Sequence, residues 1–275
     1  MNKDKKLQVA AAFFAVITIV AVIVLGFLIN AEHKEYKEIE DTQEDIVSEV
    51  VENSEQEFVK HKKKNKKFSV DWNKLQSINS DVVAWIRIPN SNISYPIVQG
   101  KTNNEYLRTN IYKKHSRGGV PFVDSSIENP FNCVNTVVHG HNLVNGMMFS
   151  QLKKYSNPEF AKKHNKIYIY FPSGEKRIYK VYSFHTVRSQ NGMVYDFYAT
   201  DPLEYKEAMD SHNSLKTNVK ITKNSQILTL STCTNRDKND RYVLHAVYET
   251  PVEEVSEVSE DVSSVQGVAQ ETVSH

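Results

Sequence analysis

The chain has 275 residues, of which 34 are basic and 33 acidic, 40% are hydrophobic and only two are cysteines. This composition excludes a collagenous or low-complexity chain, a small protein held by many disulfides and a uniformly basic nucleic-acid-binding protein. The length allows one large domain or two small ones with a hydrophobic core. The charges are unevenly distributed along the chain.

Residues 7–29 are an apolar run of 23 residues without a charged residue or a proline. A helix rises about 1.5 Å per residue, so this run covers ~34 Å and can cross a hydrocarbon core of roughly 30 Å. A cleaved signal peptide has a shorter apolar region of about 7 to 15 residues and ends in a cleavage site of small residues, which we do not find here. The run therefore predicts one uncleaved transmembrane helix.

The residues on either side of the run predict its orientation. Lys3, Lys5 and Lys6 precede it, whereas residues 31–59 contain eleven acidic residues and only two lysines. Basic residues near a membrane span stay on the cytoplasmic side. We therefore expect a single-pass protein of the cell membrane, with residues 1–6 in the cytoplasm and everything after the span outside.

Residues 30–67 predict a charged stalk followed by a lysine-rich linker. The segment 31–59 lacks Gly and Pro, and four apolar residues have a spacing that a helix can place on one stripe: Ile39, Ile46, Val50 and Phe58. We favour a solvated helical stalk over a coiled coil that binds a partner. Residues 60–67 contain six lysines, which are typical of a solvated linker, although they could also contact anionic lipid or wall polymer.

Residues 68–250 predict one globular domain, and the acidic segment 251–275 is predicted to be disordered. Short β-rich runs dominate the domain: 82–88, 93–98, 136–139, 167–171, 177–186, 226–230 and 242–248. Helical patterns are fewer: 72–78 after Asp71, 149–155, 158–164, and 202–211 after Asp201. Many short strands of this kind usually close into a barrel or a sandwich, so we expect a mainly β domain with a few peripheral helices.

The segment ILTLSTC, residues 227–233, predicts an alternating strand that ends in a cysteine. Alternation places Cys233 and Ser231 on one face. The polar loop 234–240 follows, so the thiol is expected to be accessible. On its own this signal is weak, because free cysteines are more often small buried hydrophobes.

Two further segments carry the groups that a thiol nucleophile needs. TVVHGHN, residues 136–142, delivers His139 and His141 to a Gly-containing turn, and Arg241 begins the strand after the cysteine loop. A nearby cation stabilises the thiolate, a histidine can protonate a leaving amine, and a hydrogen-bond donor can stabilise an oxyanion.

With these segments the chain resembles the class B sortases, membrane-anchored cysteine transpeptidases of Gram-positive bacteria. The motifs that carry the resemblance are LTLSTC (228–233), HGHN (139–142), Arg241 eight positions after the cysteine and WIRIPNSNISYPIVQG (85–100). The resemblance covers about residues 70–249, including the helix at 202–211. It implies a closed sortase-type β-barrel of about eight strands with a few peripheral helices, preceded by one N-terminal transmembrane helix.

The resemblance also implies roles for individual residues. Cys233 matches the nucleophile, His141 the general acid and base, and Arg241 the arginine that holds the substrate carbonyl and the oxyanion. Ser231 and Thr232 are assigned to substrate contact. His139 stands where many relatives have an aromatic residue, so the family pattern assigns it no role. No metal or organic cofactor is implied.

The implied reaction cleaves a C-terminal sorting motif of secreted surface proteins after a Thr. A thioacyl enzyme forms on Cys233, and the protein is transferred to an amine of peptidoglycan or its precursor. Polymerisation of pilus subunits is the alternative within the same class. The segment 188–225 is expected to read the motif, and no nucleic-acid partner is expected.

Three other readings use the same residues. His139, His141 and Cys233 could bind zinc in a non-catalytic extracellular domain. A Cys133–Cys233 disulfide would fit a structural or adhesive domain. The Ser-x-Gly-Cys-x-Arg pattern of L,D-transpeptidases is absent, since Thr232 replaces the Gly and Arg236 is one residue too far. Arg236 is also disfavoured as the essential arginine, because a strand positions a side chain better than a loop does.

Overall fold

The computed structural model describes residues 3–52, 68–190, 192–210, 213–234, 237 and 239–249. The lysine-rich run, the acidic tail, Phe58 and Arg236 lie outside these ranges. Four α-helices lie within them: α1 Lys3–Val50, α2 Trp72–Ile78, α3 Pro158–Lys163 and α4 Pro202–Asp210. Two short 3-10 helices, Glu105–Leu107 and Ser150–Ser156, complete the helical elements of this part of the chain.

Two strands, β1 Val51–Glu52 and β2 Ser69–Val70, form a small separate sheet. The other eight form a closed barrel in the order β10-β8-β7-β3-β4-β5-β6-β9. Their bounds are β3 Val82–Arg87, β4 Ser94–Val98, β5 Phe122–Val123, β6 Asn135–His139, β7 Lys166–Tyr170, β8 Lys176–Arg188, β9 Ser225–Cys233 and β10 Asp240–Glu249. The expectation of a mainly β, closed barrel of about eight strands is therefore confirmed.

Apolar side chains from most of these strands fill the interior of the barrel. Ile86, Val137, Leu228, Leu230 and Leu244 are fully buried in one continuous hydrophobic core. Strand pairs are antiparallel except β4 with β5 and β6 with β9, which run parallel. The parallel pairing of β6 and β9 positions the functional groups, because the carboxyl ends of both strands meet at one edge of the barrel.

Local sequence correctly predicted two helix N-caps but did not reveal the short strand β5. Lys74 N–H donates to Asp71 Oδ1 at 3.0 Å and Leu203 N–H donates to Asp201 Oδ1 at 2.7 Å, as expected for N-cap residues. The segment expected as a helix at 149–155 is instead a 3-10 helix. Strand β5 has only two residues, too few for an alternating pattern to be recognised.

Helix α1 combines an exposed apolar segment with a docked one. By length and composition its apolar part could cross a membrane. Beyond that part, Ile39, Ile46 and Val50 are 4%, 0% and 1% exposed. They pack against the barrel domain. The sequence suggested a solvated stalk or a separate partner for this stripe, whereas the chain's own domain covers it. Each side chain contributes about 2 kcal/mol through its burial.

Candidate active site

Cys233, His141 and Arg241, the three residues predicted for catalysis, meet at one edge of the barrel. Strand β6 ends at His139, two positions before His141. His139 pairs with Ser231 of the parallel strand β9, which ends two residues later at Cys233. Strand β10 runs antiparallel to β9, and its residue Arg241 is the direct partner of Cys233. Paired residues of antiparallel strands have Cα atoms about 4.5 to 5.5 Å apart. The strand pairing therefore brings together residues that are about a hundred positions apart in sequence.

The turn after β6 is anchored to the cysteine strand. Gly140 N–H donates to Ser231 O at 3.1 Å, and Asn142 Nδ2 donates to Cys233 O at 2.8 Å. A Cβ atom at Gly140 would lie 2.6 Å from the Phe149 ring, so the close packing of the turn requires a glycine. Asn142 thus positions the backbone of Cys233, a role that the sequence analysis did not assign to it.

The His141 side chain is oriented by a backbone carbonyl. Nε2–H donates to Leu107 O at 2.8 Å, which leaves Nδ1 to exchange a proton with a substrate. Burial lowers the pKa of His141, and the charges of Arg108 and Arg117 lower it further, although the hydrogen bond to Leu107 opposes this shift. The imidazole therefore gives up its proton more readily than an exposed histidine does.

Both cysteines are free thiols, and Cys233 is half-buried. Cys133 lies next to the start of β6, where its Sγ is 3.4 Å from Asn135 O. Asn135 pairs with Ile227, and six residues of strand, about 20 Å, separate Ile227 from Cys233. The alternative of a Cys133–Cys233 disulfide is therefore wrong, since a disulfide requires Cα atoms within about 7 Å.

A cleft of about 250 Å³ contains all five residues that the sequence analysis singled out: His141, Ser231, Thr232, Cys233 and Arg241. Ser231 Oγ lies 2.9 Å from the hydroxyl of Tyr195, which is another residue of the cleft wall. The side-chain oxygen of Thr232 is buried and has no hydrogen-bond partner among the described residues. The cleft has room for a peptide segment beside the thiol.

His139 forms a hydrogen bond with a buried carboxylate, a contact that the sequence did not reveal. Its Nε2–H donates to Asp124 Oδ2 at 3.0 Å, and the Asp124 side chain is only 6% exposed. Asn103 Nδ2 donates to the same carboxylate at 2.8 Å, and Ser126 N–H donates at 3.0 Å. Burial alone would raise the pKa of Asp124, but the hydrogen bonds from His139 and Ser126 hold it below its usual value.

The alternative hypothesis of a zinc site requires His139, His141 and Cys233 to bind the same metal ion. Each ring uses its Nε2 for a different partner, Asp124 in one case and Leu107 in the other. Among the described residues there is no group of three or more His, Cys, Asp or Glu side chains arranged to hold a metal ion.

Asp124 follows the two-residue strand β5, so no sequence pattern marked it as a partner of His139.

Comparison with known proteins agrees with the fold. The family model of the sortase domain matches residues 86–249, so the chain belongs to the sortase family, whose members are cysteine transpeptidases. Sortase B of Listeria monocytogenes is 34% identical over 171 residues, which are 58% of this chain and 65% of that protein. Sortase B of Staphylococcus aureus is 28% identical over 221 residues, 79% of this chain and 87% of that protein.

A crystal structure of sortase B from Clostridium perfringens superimposes with a TM-score of 0.60 at 32% identity, covering 64% of this chain and 98% of that one. The chain thus spans just under two thirds of the Listeria relative and nearly all of the Clostridium structure. The resemblance to class B sortases, stated above from short motifs, is confirmed.

Proposed function

We propose that the chain is a membrane-anchored transpeptidase that joins secreted proteins to a cell-wall amine. The observation that carries this proposal is the pairing of Cys233 with Arg241 in a cleft that also contains His141. We assign the reaction to the domain at 68–250, with residues 7–29 as its anchor, the amino terminus inside and the domain outside.

In the first half-reaction the Cys233 thiolate attacks the backbone carbonyl carbon of a Thr residue in the sorting motif. Arg241 donates hydrogen bonds to the oxyanion of the tetrahedral intermediate. The carbon–nitrogen bond then breaks, and His141 gives its proton to the departing amine. The product is a thioester between the Thr carbonyl and Cys233.

In the second half-reaction a wall amine attacks the thioester carbonyl. His141, now neutral, accepts the proton that the amine loses as the new amide bond forms. The carbon–sulfur bond breaks, and Cys233 leaves as a thiolate. The lowered pKa of His141 keeps a larger share of the imidazole in the neutral form, which is the form that can accept this proton. We assign Ser231 and Thr232 to contact with the substrate, because both line the same cleft.

Intact mass spectrometry of the full chain with a peptide library that contains Thr in each peptide tests the proposal. We expect a covalent adduct that hydroxylamine releases, and a ligated product when an amine acceptor is added. Cys233→Ala should give neither, whereas Cys133→Ala should give both. An adduct that persists in Cys233→Ala, or stoichiometric zinc in the purified protein, would contradict the proposal.

A further inference from the structure

Arg117 of the barrel domain contacts α1 directly after its apolar run. Its guanidinium lies 3.3 Å from Glu35 and 3.9 Å from Glu32, and 5.9 Å from the centre of the Tyr36 ring. Glu32 and Glu35 follow Ile29 by three and six residues, which is about 4.5 and 9 Å along a helix axis. Arg117 therefore lies within two helical turns of the end of the apolar run.

The same loop of the domain forms one side of the catalytic cleft. Ser116 N–H donates to Arg108 O at 2.9 Å, so Arg108 and Arg117 lie at the open end of one hairpin. The residue before Arg108 is Leu107, whose carbonyl orients His141 and which lines the cleft. Burial and the positive charges of both arginines lower the pKa of His141, which agrees with this proximity.

Contacts farther along α1 fix the orientation of the domain. Ile39 packs so closely on Gly118 that a Cβ there would lie 2.9 Å from it. Gln43 Nε2 donates to Ser94 O at 2.6 Å. Val50 O accepts a hydrogen bond from Asp71 N–H at 2.7 Å. Together with the Arg117 contact at Glu32, these contacts extend over about five turns of one continuous helix, so they restrict both the tilt and the rotation of the barrel about α1.

We propose that α1 holds the catalytic cleft next to the outer surface of the membrane, so that the partner of this end of the barrel is the lipid bilayer. The enzyme then acts on polypeptide segments close to the lipid headgroups. The inference rests on the membrane anchor of the proposed function. It adds that residues 31–50 act as a rigid spacer, and that their length sets the height of Cys233 above the bilayer.

The height of Cys233 can be measured without a substrate. The full chain with Cys133→Ser is reconstituted in vesicles, where Cys233 is its only thiol. Its alkylation by a maleimide carried on a lipid headgroup is compared with alkylation by soluble N-ethylmaleimide. A helical insertion of seven residues between Asn30 and Ala31 raises the domain by about 10 Å and turns it by only about 20°. Fourteen inserted residues raise it by about 20 Å.

We expect the ratio of lipid-borne to soluble alkylation to fall at least threefold with seven inserted residues and further with fourteen, because a tethered reagent that cannot span the gap has a low effective concentration. The same seven residues inserted after Met1 serve as the matched control and should leave the ratio unchanged. An equal ratio in the parent and both insertion variants would overturn the inference.

Peptide cleavage separates this inference from the proposed function. Cleavage of a soluble peptide by variants that retain Cys233 should be unaffected by either insertion, since the inserted residues lie outside the barrel domain. If the parent cleaves no peptide but the alkylation ratio still falls in the insertion variants, the proposed function is contradicted and the role of residues 31–50 as a spacer is supported. A parent that does not float with vesicles overturns the anchor and the spacer together.

Discussion

Arg241 and Cys233 are paired directly across β10 and β9, so the guanidinium and the thiol extend from neighbouring backbone positions. Arg241 Nη1 also donates to Asp240 O at 3.0 Å, which restrains the side chain at the rim of the cleft. A pair of strands holds both groups more rigidly than a loop would. This rigidity is what a donor needs in order to meet an oxyanion that exists only during the reaction.

Arg241→Gln is therefore expected to lower kcat/KM for peptide cleavage by about 10² to 10³, the effect of losing one oxyanion donor. Arg241→Lys keeps the charge but loses the planar fork, so we expect it to recover only part of the activity. Steady-state kinetics measures both effects, and the melting temperature should change little. Parent-like activity of Arg241→Gln would show that another group stabilises the oxyanion.

Arg108→Gln should raise the pKa of His141, because it removes a positive charge that disfavours the imidazolium. The imidazolium then persists to higher pH, and the limb of the pH profile that reports His141 shifts in the same direction. An NMR titration of the His141 ring checks the shift. Lys176→Gln is the control, since Lys176 begins β8 at the far end from Arg188 and Asp240. An equal shift in both variants would contradict a local effect of Arg108.

His139→Phe should destabilise the domain by about 1 to 3 kcal/mol, because it leaves the buried Asp124 carboxylate without one of its hydrogen-bond donors. The phenyl ring preserves the contacts with Phe122 and Tyr195, whose ring centres lie 5.3 and 5.9 Å from that of His139. Adding Asp124→Asn should restore part of the loss. Urea unfolding of the single and double variants measures the coupling, and additive effects would contradict a direct interaction between His139 and Asp124.

Because His245 is buried, we expect the free energy of unfolding of the domain to fall in acid. It is fully buried, Thr229 Oγ1 lies 2.9 Å from its Nδ1, and burial together with the neighbouring His185 holds its pKa well below 6.5. The unfolded chain binds a proton near pH 6.5 that the folded chain does not bind. The free energy of unfolding should therefore fall as the pH drops below 6.5, by up to about 1.4 kcal/mol per pH unit for this residue.

Unfolding experiments at pH 7.5, 6.5 and 5.5 measure this slope. His245→Gln should make the slope shallower even though the variant is less stable at pH 7.5. The matched control is His115→Gln, whose side chain is exposed and outside the barrel core. If His245→Gln loses stability with falling pH as steeply as the parent, His245 is not the group responsible.

Local patterns predicted most of the strands and singled out Cys233, His141 and Arg241, to which the resemblance gave the catalytic roles proposed above. The strands around Ile86, Leu228 and Leu244 are recognisable as short runs rich in β-branched and other apolar residues. Both of their faces are buried, since the neighbours Trp85, Ile227 and Val243 belong to other buried clusters. Asp124 was missed because it follows a strand of two residues, and its partner His139 is fifteen positions away. A pair of this kind depends on the pairing of β5 with β6, and neither segment by itself contains that information.

The sequence by itself determined the apolar run of α1, the alternating strands and the presence of a cysteine, a histidine turn and an arginine in that order. These features depend on the chemistry and spacing of neighbouring residues. Only the tertiary structure decided that Arg241 faces Cys233, that Asn142 is tied to the cysteine strand and that Ile46 is covered by the barrel. The contacts of Asn142 and Ile46 join segments far apart in the chain, whereas Arg241 lies only eight positions after Cys233. In each case the partner is fixed only when the strands pair in register and the barrel closes.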